Sequence, residues 1–304
     1  MPKPEQAGHL DIPATRELVR TNLAVVYAEL GLPEIVVSAL SGGGRLNRGV
    51  IIYSIASGYG SRAQVAFLAT TAELIHRASV IVDDIQDGDT VRRGRPSFHI
   101  LVGTGRALAV ADLLLSTGLS RLAAMGGQYL NEAIGIYEDM AKGQALDVGV
   151  LPSEGLDIDY PARLKTGTLI RMCFRLGARL SELPEGTVDI YSQIGMHLGC
   201  AFQLQNDLDN VLGKDPRTSR PGSDLARGNV SSVLLALRRG AKDLSEAATM
   251  VAARREEHFD KVQQILAESG ISVPGPLSLV IRDFALAFGF VGDQVRSSSN
   301  SSEF

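Results

Sequence analysis

The chain reads as an all-α protein, a single-domain helical bundle around a central active-site cavity. Three observations predict this. Apolar residues recur at helical spacing over long stretches, Ala107 to Ala124, Tyr191 to Val211 and Ser232 to Phe259. Strand signals are few, and Gly and Pro clusters separate the stretches at intervals suited to short interhelical loops. With 304 residues, 45% of them hydrophobic, the chain can bury a large core. The expected domain spans 1–296, and the Ser-rich tail 297–304 is expected to be disordered.

Taken in order, Met1 to Arg20 mixes Pro with charged residues and has no signal-peptide pattern. The breaker-free run Ala72 to Val82 has helical composition and leads into Asp83-Asp84-Ile85-Gln86-Asp87. Asp83, Asp84 and Asp87 therefore share one helix end, with Asp83 and Asp87 one turn apart. Like charges at that spacing repel, and they also oppose the negative end of the helix dipole. Hard divalent cations relieve both, and magnesium favours carboxylate oxygens together with substrate phosphate. Arg92-Arg93-Gly94-Arg95-Pro96 follows in a short loop and suits a diphosphate clamp. By itself, an acidic corner beside a basic loop describes any salt-bridged surface.

A second polar cluster raises the functional reading. Gln203 and Asp207, and likewise Asn206 and Asn210, lie one turn apart after the apolar helical stretch Ile194 to Ala201. Two such helices would face each other across a cavity. An interhelical amide network is the plainer account of Gln203 and Gln205.

Over nearly its whole length the chain resembles the trans-isoprenyl diphosphate synthases, the all-helical polyprenyl synthetase family. The residues that carry the resemblance are Gly42-Gly43-Gly44-Arg45-Leu46-Asn47-Arg48, Glu73-Leu74-Ile75-His76, the first aspartate motif with its arginines, and Ala111-Asp112-Leu113-Leu114. They continue through Gly143-Gln144-Ala145-Leu146-Asp147, Lys165-Thr166-Gly167-Thr168-Leu169-Ile170, the second polar motif and Gly222-Ser223-Asp224-Leu225. The resemblance implies a class I site. Asp83, Asp84 and Asp87 would hold several Mg2+ ions, or Mn2+ in their place, carrying an allylic prenyl diphosphate. Arg92, Lys165 and Arg220 would neutralise its oxygens, with Thr166, Gln203 and Asp207 nearby. Asn206, Asp207 and Asn210 would supply metal ligands from the second helix. A homodimer is implied as well.

The chain also departs from the family. Gly44 and Asn47 replace the Lys and Arg that hold the acceptor diphosphate, leaving Arg45, Arg48, His76 and Arg93 as candidates. Asn206 and Asn210 replace aspartates, Asn229 replaces a lysine, and Asn206 to Asn210 is a partial match to a terpene-cyclase metal motif. These departures favour an enzyme that ionises one prenyl diphosphate and cyclises or rearranges it. The alternatives are a chain-elongating synthase that uses isopentenyl diphosphate and, in another class, a non-catalytic regulatory subunit. Against cyclisation, the chain is 5% aromatic with no Trp, and Phe67, Tyr137, Phe174 and Phe202 read as core. Ala78 and Ser79, one turn before Asp83, are small, so a prenyl tail would pass towards Ile75 to geranylgeranyl or farnesyl length.

A net charge of −4 with no basic stripe excludes a nucleic-acid partner. No uninterrupted apolar span reads as transmembrane, and Cys173 and Cys200 read as buried thiols, so the expected location is cytoplasmic. The segment Gly213 to Gly228 reads as a lid over the site.

Overall fold

The structure is a computed structural model that describes residues 11–41, 44–56, 61–214, 222–271, 278 and 281. The helices run α1 (Ile12–Glu29), α2 (Glu34–Ser41), α3 (Asn47–Ala56), α4 (Arg62–Gln86), α5 (Phe98–Val102), α6 (Thr104–Met125), α7 (Gly127–Asp147) and α8 (Tyr160–Ala162). A π-turn (Arg163–Gly167) joins α8 to α9 (Thr168–Leu180), and α10 (Glu185–Val211), α11 (Ser223–Arg227), α12 (Ser232–Arg238) and α13 (Leu244–Ser269) follow. Among the described residues the only strands are β1 (Val91–Arg92) and β2 (Arg95–Pro96), an antiparallel hairpin pairing Arg92 with Arg95. This is the expected all-α fold.

Helix α4 starts at a capping box, in which Ser61 Oγ accepts from Gln64 N and the Gln64 side chain returns to Ser61 N. Its buried stripe, including Val65, Leu68, Ala72 and Ile75, packs against α3 and α6. Helix α10 packs against α9 and α13. The main core holds Ile51, Leu68, Phe174 and Leu198, each 0% exposed, and burying each such side chain contributes roughly 1.5–3 kcal/mol. A smaller core under α8, α10, α12 and α13 contains Leu204, Val233 and Val251.

The π-turn is positioned by an unusually close helix contact. A Cβ on Gly199 of α10 would lie 2.8 Å from both Gly167 Cα and Thr166 O. Only glycine lets α10 approach the turn this closely. Cys173 and Cys200 are both buried free thiols, as expected.

No clear membrane span is evident among the described residues, in line with the expectation, although two helices pass a test of length and composition. Helices α4 and α6 are long and apolar enough to cross a membrane by length and composition, with mean hydropathy 1.4 in each. Packing explains α4, whose apolar window is 61% buried in the bundle. The corresponding window of α6 is only 28% buried.

Candidate active site

Three carboxylates meet at one end of a cavity of about 460 Å3. Asp83 lies in the last turn of α4, Asp87 caps that helix, and Asp147 ends α7. One oxygen from each lies within 4.8 Å of the others. Such a set of hard oxygen donors fits Mg2+ or Mn2+. Sequence reasoning did not select Asp147 as a site residue. The available signal was an acid at the C-terminus of a helix, where the dipole disfavours it.

Lys165, presented by the π-turn, donates to Asp83 Oδ1 at 3.2 Å and to Asp147 Oδ2. Burial opposes its charge, but Asp83, Asp147 and Asp87 more than offset this and hold its pKa above the usual lysine range. Single π-turns recur at functional sites because they re-aim side chains. Asp84 is differently placed from its two neighbours. It is 2% exposed and receives Arg92 Nε at 2.5 Å, while Arg92 Nη2 reaches Asp83 Oδ2 at 3.2 Å. Burial raises the Asp84 pKa to about 6, against the pull of Arg92. Thus Asp84, expected as a metal ligand, anchors the β1–β2 hairpin, and Asp147 takes the third place in the carboxylate group.

Across the cavity, α10 presents Gln203, Asn206, Asp207 and Asn210. Thr166 Oγ1 donates to Gln203 Oε1 at 2.6 Å, and Gln203 Nε2 donates to Asp207 Oδ1 at 2.8 Å. Ser232 N donates to Asp207 Oδ2 at 2.9 Å. Burial pushes the Asp207 pKa up while these bonds favour its anion. Asp207 therefore spends both oxygens within the protein and is not part of the clustered carboxylates. Asn229 Nδ2 donates to Asp87 Oδ1 at 3.0 Å, a contact that the sequence did not disclose.

Further arginines line the same cavity, Arg48 from α3 and Arg93 from the hairpin, with His76 of α4 close enough to feel both charges. Arg48 Nε and His76 Nδ1 are buried without a hydrogen-bond partner among the described residues. Burial, then the charges of Arg48, Arg77, Arg92 and Arg93, hold the His76 pKa well below the usual range. Gly44 adopts φ +122°, and a Cβ there would lie 3.1 Å from Arg93 Nη1. The Arg93 guanidinium thus fills space beside the position that lost a lysine. Arg45 is exposed and outside the lining, where its carbonyl accepts from Arg16 Nε at 2.8 Å.

The remaining walls include Val80, Met140, Leu169, Tyr137 and Phe202. Phe174 is core as expected, and Phe67 lies under the Arg121 guanidinium at 3.7 Å. Tyr137 and Phe202, also expected in the core, instead reach the cavity. Ser79 lines the cavity, whereas Ala78 and Ile75 lie in the core around it. Arg220, the tail 297–304 and the middle of the expected lid, 215–221, lie outside the described residues. The described end of that segment is tied down, with Arg227 Nη1 donating to Asp89 Oδ1 at 2.9 Å.

A helical bundle with clustered carboxylates, a lysine between two of them and further arginines in one cavity has the groups that a metal-dependent diphosphate chemistry needs. The chain belongs to the polyprenyl synthetase family, whose family model matches residues 31–269. It is 28% identical over 267 residues to a short chain isoprenyl diphosphate synthase of Methanothermobacter thermautotrophicus, covering 84% of this chain and 82% of that one. It is 31% identical to a geranylgeranyl diphosphate synthase of Mycobacterium tuberculosis, covering 71% of this chain and 64% of that one. The solved heptaprenyl diphosphate synthase of Staphylococcus aureus superposes with a TM-score of 0.76 at 20% identity, covering 92% of this chain and 98% of that one. At that identity the likeness is one of fold. The chain is an enzyme of the prenyltransferase family, and these comparisons favour chain elongation over the cyclisation reading and leave the regulatory-subunit reading without support.

Proposed function

We propose that this enzyme is a chain-elongating trans-prenyltransferase, joining isopentenyl diphosphate to an allylic prenyl diphosphate. The observation that carries the reading is the further arginines of the cavity. Arg48 and Arg93 add positive charge to the lining beyond the Arg92 and Lys165 that bond Asp83, and Arg48 Nε and Nδ1 of the neutral His76 are buried without partners among the described residues. A single-substrate cyclase has no second diphosphate to place there.

Asp83, Asp87 and Asp147 would hold divalent cations, with Asn206 and Asn210 facing them, and Mg2+ or Mn2+ when bound offsets charge developing on the departing diphosphate. Lys165 and Arg92 lie within reach of the same diphosphate, and the resemblance adds Arg220. The allylic carbon–oxygen bond breaks with its electron pair leaving on diphosphate. The acceptor alkene then forms the new carbon–carbon bond, and loss of an acceptor proton restores a double bond. The walls formed by Val80, Met140, Leu169 and Phe202 exclude water that would quench the cation.

We further propose a homodimer and a cytoplasmic setting. The under-buried face of α6, with Leu108 41% and Leu113 36% exposed, supports the first. The two buried thiols support the second. Cyclisation is favoured by one observation, the aromatic rings of Tyr137 and Phe202 on the cavity wall.

The test is incubation with Mg2+ and geranyl or farnesyl diphosphate, with and without isopentenyl diphosphate. Longer diphosphates formed only with isopentenyl diphosphate support elongation. Hydrocarbon formed from the allylic substrate alone overturns it.

A further inference from the structure

We infer that Tyr137 on α7 is the floor that sets product length, an inference that rests on the elongation reading. Helices α4 and α7 both bring their acidic ends to the cavity mouth, so residues earlier in each helix lie deeper. On α4 the lining stops at His76, and the next turn back, with Ala72 at 1% and Ile75 at 2% exposure, is packed into the core. Ile75 is closed off by α6, where a Cβ on Gly118 would lie 2.6 Å from Ile75 Cγ1. The route past Ala78 that the sequence suggests is therefore filled.

On α7 the lining recedes from Asp147 through Gln144 and Met140 to Tyr137, and the next turn back, at Ala133, is 1% exposed core. Tyr137 precedes Asp147 by ten residues, about 15 Å along the helix axis. An extended carbon chain advances roughly 1.2 Å per bond, as the 3.3–3.6 Å span of a three-bond residue implies. Each isoprene unit adds four bonds along the chain, so three units span about 14 Å. A farnesyl tail held at the carboxylates ends against the Tyr137 ring, and a fourth unit has no room while that ring is in place. Met140 and Phe202 narrow the walls above it.

The test compares wild type, Tyr137→Ala, Tyr137→Leu and Tyr137→Phe supplied with Mg2+, geranyl diphosphate and isopentenyl diphosphate, with products resolved by chain length. Farnesyl diphosphate still fits at the carboxylates and is elongated once more, so wild type and Tyr137→Phe should stop at geranylgeranyl length, because the ring and not its hydroxyl bars a fourth unit from that site. In Tyr137→Ala, or in Tyr137→Leu if the alanine variant does not fold, the main product should move beyond geranylgeranyl length. A wild type that stops mainly at farnesyl diphosphate or runs past geranylgeranyl diphosphate, or a folded Tyr137→Ala that still stops at geranylgeranyl length, overturns the inference. If wild type elongates nothing, the elongation reading falls separately and the floor is read from calorimetric binding of geranylgeranyl diphosphate. Tyr137→Ala should then bind it about tenfold more tightly than wild type, and equal affinities overturn the floor.

Discussion

The contact between Gly199 and the π-turn connects packing to chemistry closely enough to be tested by one methyl group. In Gly199→Ala the new Cβ would meet Gly167 Cα and Thr166 O at 2.8 Å and Gly167 N at 3.1 Å. Ordinary carbon contacts lie at about 3.5–4.0 Å, so α10 and the turn must separate by roughly 0.7–1 Å. Overpacking of this kind costs about 1–3 kcal/mol, and the better helix propensity of Ala returns at most about 1 kcal/mol of it. The net expectation is a loss of about 1–2 kcal/mol, read by urea denaturation. The displaced turn carries Lys165, 3.2 Å from Asp83, and Thr166, 2.6 Å from Gln203, so neither bond survives the shift unchanged. A misplacement near 1 Å can lower turnover about 10²-fold, so kcat should fall by roughly 10- to 100-fold. The control is Gly135→Ala, within α7 where a Cβ meets nothing within 4 Å. It should stabilise by about 0.5–1 kcal/mol and leave kcat alone. Wild-type stability and kcat in Gly199→Ala would refute the reasoning.

Three further outcomes are expected. Asp147→Asn, like Asp83→Asn, should raise the Mg2+ concentration for half-maximal rate roughly tenfold or more, because each removes one charge from the clustered carboxylates; an unchanged Mg2+ profile would exclude Asp147 from the metal group. Arg48→Met should raise KM for isopentenyl diphosphate about 10- to 100-fold, the worth of a charge-assisted hydrogen bond, with the allylic KM unmoved; equal changes in both constants would place Arg48 elsewhere in the reaction. His197, whose Nδ1 is 2.8 Å from His258 Nδ1, has its pKa lowered to about 4 by burial, then His258 and Lys261, against Asp159. A depressed folded pKa means that the unfolded chain binds the extra proton first. Its contribution of order 2–3 kcal/mol is therefore present above the ordinary histidine pKa and lost as pH falls from about 6.5 to about 4. His197→Gln should flatten that window in pH-dependent denaturation.

The bundle was legible because long helices announce themselves by periodicity, and the helix end at Asp83 to Asp87 was legible because like charges one turn apart need a reason. The partners of those charges were not. Periodicity places Asp83, Asp84 and Asp87 on one helix end, but which of them faces the cavity depends on the hairpin, since Arg92 draws Asp84 inward. Asp147 joins the group only because α7 ends opposite α4, a matter of packing and not of local pattern. The π-turn was equally hidden. No residue between Arg163 and Gly167 marks a π-turn locally, and the close approach that accommodates it depends on Gly199, more than thirty residues away in the chain. Tyr137 read as core because periodicity distinguishes an inward face from an outward one, and both core and cavity lie inward.

The departures from the family pattern are easier to understand as one set than as separate losses. Removing the lysine at Gly44 and the arginine at Asn47 alone would leave an acceptor diphosphate poorly matched. Arg93 comes within reach of the vacated position at Gly44, and Arg48, one residue beyond Asn47, reaches the cavity. Removing acids at Asn206 and Asn210 alone would reduce the charge available to divalent cations, but Asp147 completes a carboxylate group with Asp83 and Asp87 on the opposite side. The lysine missing at Asn229 is answered by an amide that donates to Asp87 without adding charge. Of these neighbours Arg93 and Asp147 belong to the motifs shared with the family, and Arg48 is the charge found beside the altered Gly44 to Asn47 segment. A pseudo-enzyme has no reason to keep both poles supplied, whereas a two-substrate enzyme needs one pole for the leaving diphosphate and another for the diphosphate that stays on the product. The Arg48 pole is therefore where the chain's altered motif and its proposed chemistry meet.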